Sequence, residues 1–154
     1  GEINSELQAK SFVTAAQAEG LSVTEATVSN VNDLAQVAQA LCGRVDVIYV
    51  PTDNVIASAL PTLINVTNAA RIPVIGAAAS YVREGALAAL SVDYYQIGYR
   101  AGKMAVKILK GNAQPQTLAI ELPAAQAPLI SRSAASTLGI AIDPELTKTA
   151  QLCD

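Results

Sequence analysis

The sequence predicts an α/β fold, a parallel sheet with helices on both faces, and three observations carry that prediction. Hydrophobic residues make up 51% of the chain but aromatics only 4%, so the core has to be built from Ala, Val, Ile and Leu. Helix-period segments alternate with short apolar runs along the chain, which is the pattern of βαβ units. One run, Val45-Asp46-Val47-Ile48-Tyr49-Val50, is nearly continuous in apolar residues, as strands buried in parallel sheets are.

The elements follow in order. Ser5-Glu6-Leu7-Gln8 reads as a capping box with Ser5 as N-cap. Ala9, Phe12, Val13 and Ala16 continue at helical spacing until Gly20 stops the helix. Residues 21–27 are expected to form a short strand. The next helix places Leu34, Val37, Ala38 and Leu41 on one face and ends at Gly43. After the apolar strand, Pro51-Thr52-Asp53-Asn54 opens another helical stretch, which Pro61 either kinks or restarts at a first-turn position. Pro73-Val74-Ile75-Gly76-Ala77 is a strand, and residues 86–90 are expected to form another. Asp93-Tyr94-Tyr95-Gln96 is a second capping box. Its helix puts Ile97, Ala101, Met104, Ala105 and Ile108 on one face and ends at Gly111. A strand over residues 117–122, a short helix over 133–138 and a last turn capped by Asp143-Pro144 complete the reading. The chain begins at a helix cap where an α/β lobe normally begins with its central strand. It is therefore expected to be a fragment that lacks the preceding part.

Composition excludes several function classes. A chain of 154 residues is the size of one domain and buries roughly 68–70% of its unfolded surface. Its net charge is −3, with no dense Lys/Arg run, so nucleic acid is not an expected partner. No stretch approaches 18 uninterrupted apolar residues, so no membrane span is expected. Gly1 opens directly into a polar segment without a signal-peptide pattern, which decides nothing for a trimmed chain. Histidine is absent, which removes the commonest general base, most zinc sites and every Ser-His or Cys-His arrangement. Cys42 and Cys153 match no metal or redox spacing. Cys42 is expected to be a small buried residue and Cys153 a frayed terminal one, with a disulfide between them left open. Neither catalysis nor a cofactor is expected.

In open α/β sheets, ligands lie beyond the carboxyl ends of the strands. Two segments have that position. Gly1-Glu2-Ile3-Asn4-Ser5 leads into the first helix, whose N-terminus attracts anions such as a carboxylate. Thr52-Asp53-Asn54 follows the most apolar strand and combines a hydroxyl, a carboxylate and an amide. Each also has a capping explanation, with Ser5 and Asn54 as N-caps. A zwitterionic ligand needs opposite charges at two points, and Asp53 for its ammonium with the Asn4-Ser5 helix end for its carboxylate is the pair available. Gly98-Tyr99-Arg100-Ala101-Gly102-Lys103-Met104 superficially matches a phosphate loop, but it is one residue short, lacks the Ser/Thr and lies inside a helix. Arg100, Lys103, Lys107 and Lys110 form a basic stripe that reads as a solvated helix face.

With Asp53-Asn54, Asp93-Tyr94-Tyr95-Gln96-Ile97-Gly98 and Met104-Ala105-Val106-Lys107-Ile108-Leu109-Lys110-Gly111 on view, the chain resembles ABC-transporter substrate-binding proteins of the type I periplasmic-binding fold, in the tryptophan- and tyrosine-type branch. The resemblance implies two lobes hinged around an amino-acid-like ligand, aromatic ligands included, and delivery to an ABC permease in the membrane. It also implies a periplasmic or extracytoplasmic location, with a lipid anchor on the full-length protein as one form. Residues 1–79 and 126–154 would then form the C-terminal lobe, and 80–125 would belong to the N-terminal lobe and hinge. By the family pattern Asn4, Ser5, Thr52, Asp53 and Asn54 would face the ligand. Relatives often carry an acidic residue after Ile75, where this chain has Gly76-Ala77-Ala78-Ala79, and Ser80 is the polar residue left to serve there. The alternative is the effector-binding domain of a LacI-type regulator, which shares the fold but would be cytoplasmic and joined to a DNA-binding headpiece.

Overall fold

The computed structural model describes residues 2–124 and 126–154. The chain divides into two compact units, one formed by Gly1–Ser91 with Ala127–Asp154 and the other by Val92–Gln126. The unit boundaries thus fall at Val92 and Gln126, whereas residues 80–125 had been expected to separate from the rest. Residues 80–91 pack in the first unit, where Tyr81, Val82, Ala86 and Ala89 are buried.

The first unit opens with helix α1 (Ile3–Ala18), which Gly20 ends in a left-handed conformation at φ 78°. Residues 21–28 have no regular structure, although a strand was expected there. No ladder among the described residues runs beside them, so their backbone groups have no strand to pair with. Helix α2 (Leu34–Cys42) buries Leu34 and Ala38, as its spacing predicts. Strand β1 (Ile48–Val50) leads into α3 (Asn54–Ser58), and α4 (Leu60–Ala69) follows with Pro61 in its first turn. Pro61 therefore restarts the helix, a position where its missing N–H costs nothing. Strand β2 (Val74–Gly76), helix α5 (Ala79–Arg83) and strand β3 (Ala88–Ala89) complete this stretch.

After the second unit the chain returns through β4 (Leu129–Ser131), which is followed by a helix over Arg132–Leu138 and a terminal strand, β5 (Gln151–Cys153). The five strands form one sheet in the order β1-β2-β3-β4-β5. All neighbours are parallel except β3 and β4, which are antiparallel. The sheet is thus mostly parallel, as expected, with one antiparallel pair. Antiparallel neighbours are joined at one end of a sheet, so the chain leaves β3 and re-enters at β4 from the same end. Cys153, expected to be frayed, lies in β5 and its thiol donates to Ile130 O (3.6 Å).

The core sits where α2, α4 and α5 meet β1 and β2, around Leu34, Val50, Leu60, Leu63, Val74 and Tyr81. Fully burying a side chain of this size stabilises the fold by about 1.5–3 kcal/mol.

The second unit is built on a helix over Tyr94–Leu109, labelled α6 in chain order, so the Arg132–Leu138 helix is α7. Asp93 caps α6 as expected, its carboxylate accepting from Gln96 N (3.0 Å), and Gly111 follows at φ 74°. None of its residues is buried, and Lys103, Lys107 and Lys110 are exposed. Lys103 Nζ lies 5.2 Å from the centre of the Tyr99 ring. The strand expected over residues 117–122 is a turn followed by irregular chain, with no strand among the described residues of this unit beside it to pair with.

Candidate ligand-binding face

Helix α1 meets the β1–α3 turn along one line of side chains, Ser5, Gln8 and Phe12, three and four residues apart. Phe12 stacks on Tyr49 of β1 with ring centroids 4.1 Å apart and planes within 1°. Gln8 Oε1 accepts from both Thr52 N (2.7 Å) and Thr52 Oγ1 (2.9 Å). Ser5 Oγ lies 2.8 Å from Asp53 Oδ2. The inward face of α1 is therefore apolar in its middle and polar at its N-terminal end, where it reaches the carboxyl end of β1. This is the strand-end position at which α/β sheets hold ligands.

The caps differ from those expected. Glu2, not Ser5, is the N-cap of α1, and Ser5 is the third residue of its first turn. The two form a capping box in which Glu2 N donates to Ser5 Oγ (3.1 Å). Gly1, at the head of the expected helix-entry segment, lies outside the described residues. Asp53, not Asn54, is the N-cap of α3, and its Oδ1 accepts from Val55 N (2.9 Å) and Ile56 N (3.2 Å). An aspartate preceding a helix start competes well for this position because its short carboxylate reaches the second and third N–H groups.

Asp53 is only 6% exposed. Its Oδ2 takes the Ser5 hydroxyl and, at 3.5 Å, Glu2 N. Ser5 Oγ also lies 2.8 Å from Glu2 O, but a hydroxyl has one proton, and Glu2 O already receives Glu6 N. The carboxylate is the stronger acceptor. Burial pushes the Asp53 carboxyl up, but the bonds from Ser5, Ile56, Glu2 and Val55 outweigh it and hold the group below its ordinary value. A carboxylate has about four acceptor directions, and here the protein fills them. This geometry is that of a structural clamp between two helix starts.

The other expected residues stand at the rim. Asn4 is exposed and its Nδ2 donates to Thr52 O (2.8 Å). Asn54 is exposed and its Nδ2 donates to Glu2 Oε1 (2.9 Å). Asn4, Ser5, Thr52, Asp53 and Asn54 thus come together at the carboxyl end of β1, Asn4 bonded to Thr52 and Ser5 to Asp53, with Asn54 joined through Glu2. Ser80 is an exposed residue in the first turn of α5, and no bond joins its side chain to that group.

Three contributors were not foreseen. Gln8 had been read only as a capping partner, yet its place three residues after Ser5 puts it on the same face. Glu2 lay within the helix-entry segment but had no assigned role. Tyr81 carried no signal, because α5 was not expected. Its hydroxyl lies 3.4 Å from Asp53 N and 3.2 Å from Pro51 O.

The model of the family described as ABC transporter substrate binding protein matches residues 1–153. The chain belongs to that family. Several solved structures are similar to the chain. A conserved domain protein from Vibrio cholerae superposes with a TM-score of 0.90 at 35% identity over 100% of this chain. An ABC domain from Streptococcus pneumonia, solved in complex with L-Trp, gives 0.88 at 32% identity over 97%. A ligand-free, open substrate-binding protein with adhesive properties from Clostridium difficile gives 0.76 at 29% over 100%. A tyrosine-binding protein of Clostridioides difficile strain R20291 is 38% identical over 112 residues, 73% of this chain. The chain covers 52%, 51% and 51% of those three solved chains and 32% of the tyrosine-binding protein. No helix among the described residues is long and apolar enough to cross a membrane.

Proposed function

We propose that this chain supplies one lobe, and part of the connection to a second, of an importer's substrate-binding protein that holds an aromatic amino acid and delivers it to an ABC permease. The observation that carries the reading is the polar group at the carboxyl end of β1, where residues 48 apart are drawn together beside the start of a 16-residue helix. Asn4, Thr52 and Asn54 are its ligand-facing side chains, with Ser80 across the strand ends. Ser5 and Asp53 hold them in place. The unit containing α1 and the sheet is the C-terminal lobe, and Val92–Gln126 belongs to the N-terminal lobe and hinge. Tyrosine and tryptophan are the favoured ligands because the binding relatives carry those names. The importer role places the protein outside the cytoplasm, where a lipid anchor would keep it near the permease.

Titration calorimetry on the full-length protein with L-tryptophan, L-tyrosine and L-leucine tests the reading. The aromatic amino acids should bind more tightly than leucine. This chain alone should bind them at least about tenfold more weakly, equivalent to about 1.4 kcal/mol, because a cleft ligand loses half its contacts when one wall is missing. The chain has no tryptophan, so emission from a tryptophan ligand reports directly on the isolated chain. Failure of every amino acid to bind the full-length protein would overturn the proposal.

A further inference from the structure

We propose that Glu2, rather than Asp53, is the carboxylate that receives the ligand's ammonium group and so selects for amino acids. The inference rests on the amino-acid reading above and names the specificity residue of that site.

Two carboxylates belong to the hydrogen-bonded group at the carboxyl end of β1, and they differ in what they have left to offer. Asp53 is buried, and its oxygens accept from Val55 N, Ile56 N, Ser5 Oγ and Glu2 N. An ammonium could reach it only by displacing Ser5 and uncapping α3. Glu2 is half-exposed. Its Oε1 accepts from Asn54 Nδ2, and the carboxylate faces the Ser5 N–H of its capping box. Against about four acceptor directions, this leaves about two open, enough for two of the three donors of an ammonium group.

Its surroundings also fix where the carboxylate points. Asn54 is the first residue of α3 and Glu2 is the N-cap of α1, so the Asn54–Glu2 bond ties the carboxylate between two helix starts. Asp53 holds those starts together through Ser5 and Glu2 N. The buried carboxylate thus positions the accessible one. An accessible negative group held in place, with its own desolvation limited until a ligand covers it, suits charge pairing within a closing cleft. A ligand without the amine gains nothing from it.

The test uses the full-length protein and two ligands that differ only at the amine, L-tryptophan and indole-3-propionate, with L-tyrosine and its deaminated analogue as a second pair. Glu2→Gln keeps the length and the capping oxygen. It should weaken L-tryptophan by about 30-fold, the low end for removing one partner of a desolvated charge pair, while changing indole-3-propionate by less than about threefold. Asp53→Asn, acting through position, should weaken the amino acid and its analogue alike. Thermal unfolding of each variant shows whether it is folded at the assay temperature. Equal losses for both ligands in Glu2→Gln would make Glu2 a helix cap only and overturn the inference. Selective loss of the amino acid in Asp53→Asn would return the role to Asp53. If the unaltered protein binds neither L-tryptophan nor L-tyrosine, the amino-acid reading fails first and takes this inference with it.

Discussion

The Ser5 hydroxyl donates to the Asp53 carboxylate at 2.8 Å in a buried position, locking the first turn of α1 to the first turn of α3. The start of α1 is not held there by apolar packing of its own, since Ile3 and Leu7 are 79% and 60% exposed, whereas α3 is anchored by Ile56 against the core. Ser5→Ala should therefore cost about 1–3 kcal/mol, the range for leaving a buried acceptor short of a partner. Urea unfolding followed by circular dichroism measures it. A loss below about 0.5 kcal/mol would mean that Gln8 and Phe12 suffice to hold α1.

Acid should weaken the same joint. A carboxyl held below its ordinary value stabilises the fold above that value and loses the contribution as pH falls through the folded one. Asp53 has an ordinary value of 3.8 and is lowered, so the window opens near 3.8 and extends downward. Unfolding measured from pH 7 to pH 3 should show a constant stability advantage of the unaltered chain over Asp53→Asn down to about pH 5. Below about pH 4 the advantage should shrink. An advantage that grows on acidification would contradict the assigned direction.

Gly76 should not tolerate a side chain. A Cβ there would stand 2.6 Å from Tyr81 Cδ2 and 3.0 Å from Tyr81 Cβ, and the latter is tied to the backbone of α5. Gly76→Ala should cost about 1–3 kcal/mol by overpacking. It should also disturb the Tyr81 hydroxyl near Pro51 O and Asp53 N. A melting temperature within a degree or so of the unaltered chain would show that α5 can shift freely.

Cys42 and Cys153 are both free thiols. Alkylation in denaturant without reductant should add two groups per chain by mass spectrometry, and an unchanged mass would reveal a disulfide. In the folded chain Cys42 should react more slowly than a small free thiol. Burial pushes its thiol up, and the thiolate is the nucleophile.

Much of the fold was legible in the residues because local physics determines it. Gly20 and Gly111 end helices where only a left-handed backbone can turn the chain away. Leu34 and Ala38 are buried where their spacing put them, and Pro61 stands in a first turn. The misread strands share a different cause. Residues 21–27 and 117–122 have strand-like composition, but a strand exists only beside a partner, and pairing is a property of the sheet. The converse holds for β4 and β5, which are three residues each and too short to show a period, yet find partners.

By itself, then, the sequence determined the α/β class, the glycine-marked ends of α1 and α6 and the two polar segments that make the candidate site, because capping and periodicity act over a few residues. Only the tertiary structure decided what each polar residue does. Ser5 and Asp53 are good capping residues in sequence and Glu2 is not, yet Glu2 caps α1, and their roles follow from which oxygen meets which N–H after α1 is laid against β1. Burial then separates the two carboxylates: Asp53 is enclosed with its acceptors filled, while Glu2 remains half-exposed. Solvent access and hydrogen-bond saturation arise from contacts between segments some 50 residues apart, and no local pattern encodes them.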